Sequence, residues 1–160
     1  FAAAMAGAAQ PQWIDAALTQ MQQCQASLVE LLSRHDCRAC TDVTGFGLLG
    51  HLGEMLAASA EDCRVTLDVS TIPALPGALR LLSEGWASSL APSNASALAL
   101  LEERIHLQGQ TDAAHQALLI DPQTCGPLLA AIPGDQLAAA LTDMKQAGFG
   151  EAAVIGQLHS

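Results

Sequence analysis

A polar loop that leads into an apolar helix carries the residues with the clearest chemical potential. The stretch from Thr41 to Leu52 reads TDVTGFGLLGHL. Its glycines, among them Gly45 and Gly47, let another group approach the backbone closely. The first N–H groups of a helix are unpaired and favour phosphate, and a carboxylate such as Asp42 suits the Mg²⁺ that accompanies nucleotide phosphates. The stretch lacks the Gly-Lys-Ser/Thr order of a Walker loop, so it predicts a phosphate or metal site of another kind.

Each of these side chains also has a structural interpretation. Asp42 could bond backbone N–H groups of its own loop. Thr41 and Thr44 could offer hydroxyls to a ligand or cap the following helix, and for Thr44 the cap is the favoured role. Gly45 could serve the turn and also present its N–H to phosphate. His51 lies inside the predicted helix, so a buried, hydrogen-bonded structural role is favoured over that of a general base.

Five cysteines include one C-x-x-C, formed by Cys37 and Cys40. A structural zinc site needs four ligands, and Cys24, Cys63 and Cys125 form no second pair. A thioredoxin-like redox pair needs a helix that opens at it, whereas here a predicted helix ends just before it. We therefore expect neither structural zinc nor a redox role, and we interpret the odd number of cysteines as reduced thiols in a cytoplasmic setting.

Apolar periodicity predicts the elements that must position these residues. Helices are predicted at Pro11–Ser33, Phe46–Ala60, Gly77–Glu84, Ala95–Arg104, Asp112–Leu119 and Asp135–Gln146, and strands at Arg64–Val69, Ile105–Leu107, Gly126–Ile132 and Ala152–Leu158. Helices and strands are mixed along the chain. This order favours an α+β or α/β fold, a mixed β-sheet covered by helices, over a purely doubly wound sheet.

Composition favours a single domain that binds neither nucleic acid nor membrane. The chain has 160 residues, is 51% hydrophobic and carries a formal net charge of −10. Nucleic acid and anionic membrane surfaces both attract clustered Lys and Arg, so the acidic balance argues against both partners. No apolar run approaches the ~20 residues of a transmembrane helix. A chain of this length buries about 70% of its unfolded surface as one domain.

The stretch Cys40–Leu52 also closely resembles the first signature of the C-terminal domain of selenophosphate synthetases (selenide, water dikinases). These enzymes belong to the aminoimidazole ribonucleotide synthetase superfamily. Further segments resemble the same family in the same order, namely Trp13–Met21, Glu54-Met55, Ile72–Gly77, Gly85, Asn94, Asp121–Thr124 and Ile155-Gly156. Asp121–Thr124, which reads DPQT, matches the second signature of the family. The resemblance spans nearly the whole chain.

The resemblance implies a fold, a reaction and an assignment of the catalytic groups to two domains. Such enzymes make selenophosphate from selenide, ATP and water and release AMP and phosphate. The resemblance implies that Asp42 helps to hold Mg²⁺ and that Thr41, Thr44 and Gly45 lie at the nucleotide phosphates. The nucleophilic Cys or selenocysteine and the catalytic Lys belong to an N-terminal domain. We therefore expect residues 1–160 to be one excised C-terminal domain that closes the nucleotide cleft, is inert alone, and comes from a homodimeric full-length protein.

Some positions depart from the family pattern. Cys125 and Gly126-Pro127 stand where the family has a Ser and a Gly-Gly pair, Asn94 lacks a preceding Arg, and Cys24 replaces a frequent Asn. Proline has no N–H, so Pro127 would weaken a turn that contacts ligand through its backbone. The alternative is that this turn only shapes a domain interface. Two other functions stay open: another ATP-dependent synthetase or kinase of the superfamily, or a diverged, non-catalytic nucleotide-binding or interface module.

Overall fold

Five short strands form two sheets in the computed structural model, which describes residues 1–60, 62–109 and 111–159 except for the side chains at 101 and 102. One sheet is the antiparallel pair of β1 (Ala39–Asp42) and β4 (Leu128–Ala131). In the other, β2 (Arg64–Asp68) lies between β3 (Ile105–Gln108), to which it is parallel, and β5 (Gly156–His159), to which it is antiparallel. The predicted class, mixed β-structure covered by helices, is confirmed, with the strands shared between two sheets.

Helices and short 3₁₀ turns connect and cover these strands. The α-helices are α1 (Ala2–Met5), α2 (Pro11–Met21), α3 (Ala26–Arg34), α4 (Gly47–Ala57), α5 (Ala78–Ser83), α6 (Ala91–Asn94), α7 (Leu100–Glu103), α8 (Ala113–Ile120) and α9 (Leu137–Gln146), and 3₁₀ turns span Val69–Thr71 and Ala95–Ala99. None of the helices in the described ranges is both long and apolar enough to cross a lipid bilayer.

Two hydrophobic clusters hold the layers together. The larger joins α4 and α8 to the inner face of β2 and β3, and contains Val43, Leu48, Leu49, Leu52, Leu56, Val65, Leu67, Ile105, Leu119 and Ile120. Strand β2 contributes through alternation, because Val65 and Leu67 are buried while Thr66 and Asp68 lie on the other face. The smaller cluster packs α3 against α9 through Leu28, Leu31, Leu32, Ala140 and Met144.

The long helix predicted over Pro11–Ser33 is wrong in one respect: it is broken into α2 and α3. The break lies at residues 22–25, where two glutamines form long-range bonds instead of helical contacts. Gln23 Nε2 donates to the carbonyl of Gly148 at 3.1 Å, and Gln25 Nε2 donates to the carbonyl of Gly126 at 2.8 Å. Apolar periodicity runs through the break, so it could not separate two helices that pack against different neighbours.

Other predicted boundaries shift by smaller amounts. The helix predicted over Ala95–Arg104 is a 3₁₀ turn followed by α7, and the final strand begins only at Gly156. The helix predicted from Asp112 is confirmed, with Asp112 as its N-cap, because its Oδ1 accepts the backbone N–H of His115 at 3.0 Å. This bond, together with one to the ring of His115 at 2.8 Å, holds the pKa of Asp112 below its usual range.

Arg104 anchors the far end of α4. Its guanidinium donates to the carbonyl of Leu56 at 2.8 Å, to that of Ala60 at 2.8 Å and to that of Cys63 at 3.0 and 3.1 Å. The last carbonyls of a helix have no partner within the helix, so this side chain satisfies the C-terminal end of α4 and ties it to β3. Arg104 thus fixes the end of α4 that lies opposite the loop leading into the helix.

Candidate functional site

The loop formed by residues 42–46 joins the end of β1 to the start of α4. Asp42 is the last residue of β1 and lies opposite Leu128 of β4. It is exposed, and its carboxylate makes no hydrogen bond or ion pair with any residue in the described ranges. The structural alternative for Asp42, a bond to nearby N–H groups of its own loop, is therefore not seen in this part of the chain. A carboxylate in this position is accessible to a cation.

The helix-capping role predicted for Thr44, and considered for Thr41, is wrong. The N-cap of α4 is Phe46, without a side-chain cap bond. The turn before it closes through the backbone, because the N–H of Gly47 donates to the carbonyl of Thr44 at 3.1 Å. Thr44 therefore lies two residues before the capping position. Thr41 is half-buried, and its hydroxyl donates to the carbonyl of Asp42 at 3.4 Å.

The predicted burial and hydrogen bonding of His51 are confirmed. The residue is only 7% exposed, and its Nε2 lies 3.1 Å from the hydroxyl of Thr44. Its Nδ1 lies 3.1 Å from the Glu54 carboxylate, a close contact that falls outside hydrogen-bonding geometry. The ring of Phe46 packs beside it, with 5.5 Å between ring centroids. A proton on Nδ1 leaves Nε2 to accept from Thr44, whose oxygen stays available to a ligand.

The second signature packs directly against this loop. The backbone N–H of Gln123 donates to the carbonyl of Thr44 at 3.0 Å, and the N–H of Val43 donates to the carbonyl of Pro127 at 2.9 Å. A Cβ on Gly126 would overlap the carbonyl oxygen of Val43, so only glycine permits this approach. The two signatures lie about 80 residues apart in the chain, and in the sequence only the family resemblance links them. In the structure they form one unit.

Gly47 and Asn94 complete this junction. Gly47 has φ +69°, and a Cβ there would lie 2.7 Å from the carbonyl carbon of Ile120. Asn94 is buried, and its Nδ2 donates to the carbonyl of Gly45 at 2.8 Å and to that of Ile120 at 3.1 Å. In the sequence, Asn94 stands out only for its match to the family and for the Arg missing before it. No periodic pattern could have revealed a contact with residues so distant in the chain.

Asp121 is a second carboxylate that sequence analysis did not assign. It directly follows α8 and is half-buried. Burial raises the pKa of this carboxyl group above its usual value. Carboxyl groups with a shifted pKa cluster at functional sites, although structural ion-pair networks also shift pKa values. Asp121 is therefore a candidate in its own right.

None of the five cysteines belongs to a metal-binding cluster in the described ranges. All five are free. Burial raises the pKa of the Cys40 thiol, and the charges of Cys37 and Asp42 raise it further. A protonated thiol is a poor metal ligand. Cys125 is exposed and has φ +54°. Within the described ranges, no group of three or more His, Cys, Asp or Glu side chains could hold a metal ion.

A Mg²⁺ ion at Asp42 would therefore need further ligands. It prefers six oxygens and commonly takes one or two carboxylates with phosphate oxygens and water. The Asp42 carboxylate and the Thr44 hydroxyl fit this preference as donors, but they are too few. A pocket of about 360 Å³ lies elsewhere, on the outer face of the three-stranded sheet, and is lined by Thr66, Asp68 and His159 among others. The loop 42–46 offers too few ligands by itself, so a bound Mg²⁺ would need oxygen atoms from groups outside the loop.

Comparison with known proteins yields one family and a consistent set of relatives. The family model described as AIR synthase related protein, C-terminal domain, matches residues 4–160. The chain is 33% identical over 141 residues to a selenide, water dikinase of Agathobacter rectalis, covering 88% of this chain and 40% of that protein. It is 37% identical over 131 residues to one of Pseudomonas straminea, covering 82% and 35%. It is 38% identical over 122 residues to one of Myxococcus xanthus, covering 76% and 33%. The chain thus spans about 40% or less of the length of these relatives.

Proposed function

Because the chain belongs to the family of AIR synthase related C-terminal domains, we propose that it is the C-terminal domain of a selenophosphate synthetase. The reaction would convert selenide, ATP and water into selenophosphate, AMP and phosphate. The observation that carries the proposal is the junction between the two signatures, at which the N–H of Gln123 bonds the carbonyl of Thr44 at 3.0 Å. Relatives named selenide, water dikinase support the choice of reaction.

In this proposal the domain forms one side of a nucleotide cleft. Asp42 contributes a carboxylate to Mg²⁺, and Thr41, Thr44 and Gly45 face the phosphates with hydroxyl and backbone groups. Bound Mg²⁺ would neutralise phosphate charge as a Lewis acid. The chain's own part is to place one carboxylate and several polar groups on a loop fixed from both sides. The nucleophile and the catalytic Lys lie in an N-terminal domain outside residues 1–160, so this chain alone is inert.

The free thiols support a further part of the proposal, a cytoplasmic location. The full-length protein is proposed to be a homodimer, which is an implication of the resemblance alone. Neither nucleic acid nor membrane is proposed as a partner, because the net charge is −10.

The non-catalytic alternative draws on the departures in the second signature. Pro127 supplies no N–H to a ligand, and Cys125 occupies the left-handed region at φ +54°. Pro127 nevertheless accepts a hydrogen bond from Val43, and Gly126 keeps the close approach. The departures therefore leave the junction intact, which favours the synthetase over a diverged module.

The test is AMP formation by the full-length protein that contains this chain, with ATP, Mg²⁺ and selenide. We expect AMP and phosphate to appear only when selenide is present, and ³¹P NMR to show selenophosphate. The isolated chain, residues 1–160, serves as the control and should release no AMP. Formation of ADP without selenide would indicate another kinase of the superfamily, and absence of any ATP turnover would favour a non-catalytic module.

A further inference from the structure

Asn94 is one of few polar side chains buried in this domain. It ends α6 and is 8% exposed, in a segment otherwise rich in Ser and Ala. A buried amide that lacks partners destabilises the fold, so such groups are hydrogen-bonded. Both N–H bonds of the Asn94 amide are used: one donates to the carbonyl of Gly45 at 2.8 Å, the other to that of Ile120 at 3.1 Å.

The two acceptors belong to the two halves of the candidate site. Gly45 lies in the loop 42–46, and is 49 residues from Asn94 in the sequence. Ile120 ends α8 and is 26 residues away, directly before Asp121. A carbonyl in the last turn of a helix has no partner within the helix, so Asn94 also satisfies the end of α8. One planar amide thus fixes where the loop stands relative to the start of the second signature.

Other contacts at this junction bring backbone against backbone. Gly47 packs on Ile120, and Gln123 bonds Thr44 through main-chain atoms at 3.0 Å. Among the described residues, Asn94 is the one side chain that hydrogen-bonds both the loop and the end of α8. Asn94 itself belongs to a third element, α6.

We infer that Asn94 is a positioning residue for the magnesium and phosphate site, acting by holding the Gly45 carbonyl and the Ile120 carbonyl at a fixed separation. The inference rests on the proposed function, since it assigns the loop 42–46 and the second signature to one nucleotide site. Asn94 does not touch the ligand. It sets the direction in which Asp42, Thr44 and the Gly45 N–H face, through the backbone that carries them.

Two variants of the full-length protein test this role. Asn94→Asp has nearly the same shape but an ionised carboxylate has no N–H to donate, and it would face two carbonyl oxygens. Asn94→Ser keeps one shorter donor and is the milder change. The matched control is Ser96→Ala in the adjoining 3₁₀ turn, where an exposed hydroxyl donates only to the carbonyl of Ser93 at 3.3 Å.

Three quantities are measured well below each melting temperature. They are the half-saturating Mg²⁺ concentration for AMP release, the KM for ATP, and the calorimetric Kd of Mg²⁺ with a non-hydrolysable ATP analogue. Loss of a supporting hydrogen bond behind a metal site typically weakens binding about 10–100-fold. We expect an effect in this range for Asn94→Asp, a smaller one for Asn94→Ser, and none for Ser96→Ala.

Several results would decide against the inference. A folded Asn94→Asp or Asn94→Ser protein with a lower melting temperature but unchanged Mg²⁺ and ATP constants would show a purely structural residue. If Asn94→Asp does not fold, Asn94→Ser decides. If the unaltered protein binds Mg²⁺ with the ATP analogue but forms no selenide-dependent AMP, the proposed function fails. Calorimetry on the variants then still tests the role of Asn94. If the unaltered protein does not bind the analogue, both ideas are wrong.

Discussion

At the scale of single residues, Asp42 and Thr44 have different surroundings within one short loop. Asp42 is exposed, and its carboxylate makes no hydrogen bond or ion pair with the described part of the chain. Thr44 is half-buried, and its hydroxyl lies 3.1 Å from the buried His51. The Asp42 carboxylate is therefore left for a ligand, while the Thr44 hydroxyl also attaches the loop to α4. His51 acts on the site through Thr44 rather than by contact with a substrate.

His51→Ala should therefore lower stability more than it lowers turnover. The change removes a buried ring and its hydrogen bond with Thr44, which should reduce the free energy of unfolding by about 2–4 kcal/mol. Activity below the melting temperature should fall only a few-fold. Chemical denaturation of the full-length protein, with exposed His106→Ala as the control, measures the first quantity. Unchanged stability with abolished AMP formation would instead indicate a catalytic histidine.

At the scale of secondary structure, the site depends on how tightly the start of α4 meets the end of α8. Gly47 has φ +69°, and its missing side chain leaves room for Ile120. Gly47→Ala would force a Cβ to within 2.7 Å of the Ile120 carbonyl carbon, so a backbone shift is required. Left-handed strain and overpacking together should destabilise the protein by about 2–4 kcal/mol.

The control for Gly47→Ala is Gly148→Ala, because Gly148 also has positive φ, +94°, but a Cβ there meets no atom within 4 Å. Thermal denaturation of both variants separates the cost of positive φ, which both share, from the cost of steric overlap, which only Gly47→Ala incurs. Gly47→Ala should lose clearly more stability and should weaken Mg²⁺-dependent AMP formation. Equal loss in the two variants would mean that the contact with Ile120 contributes nothing.

The elements of this fold could be predicted from the sequence better than the contacts between them. Alternation in Arg64–Asp68 and periodicity in α4 come from one buried face each, and such patterns can be read locally. The break at residues 22–25 was missed because both helices share the apolar period. The Thr44 cap was predicted wrongly, because a backbone bond from Gly47 closes the turn and the capping position falls at Phe46. Asn94 was missed as a contact, since a bond across 49 residues leaves no local pattern.

At the scale of the whole molecule, the proposed function assigns this domain only part of a site. It spans about 40% or less of the relatives it matches. The described residues contain no metal-binding group of three or more side chains, whereas Mg²⁺ needs about six oxygen ligands. We expect phosphates, water and groups outside residues 1–160 to supply the remainder. In the proposed function, the loop 42–46, held from α6 and α8, serves a reaction whose nucleophile lies in another domain.

The most direct test is the Mg²⁺ dependence of selenide-dependent AMP release by the full-length Asp42→Asn protein. The substitution keeps size and removes charge. We expect turnover to fall about 10²–10³-fold, with a weaker response to Mg²⁺ and a melting temperature lowered by only a few degrees, roughly 1 kcal/mol or less. Asp135→Asn, at an exposed position before α9, should match the unaltered protein. Unchanged turnover and unchanged Mg²⁺ dependence in Asp42→Asn would contradict the metal role of this loop.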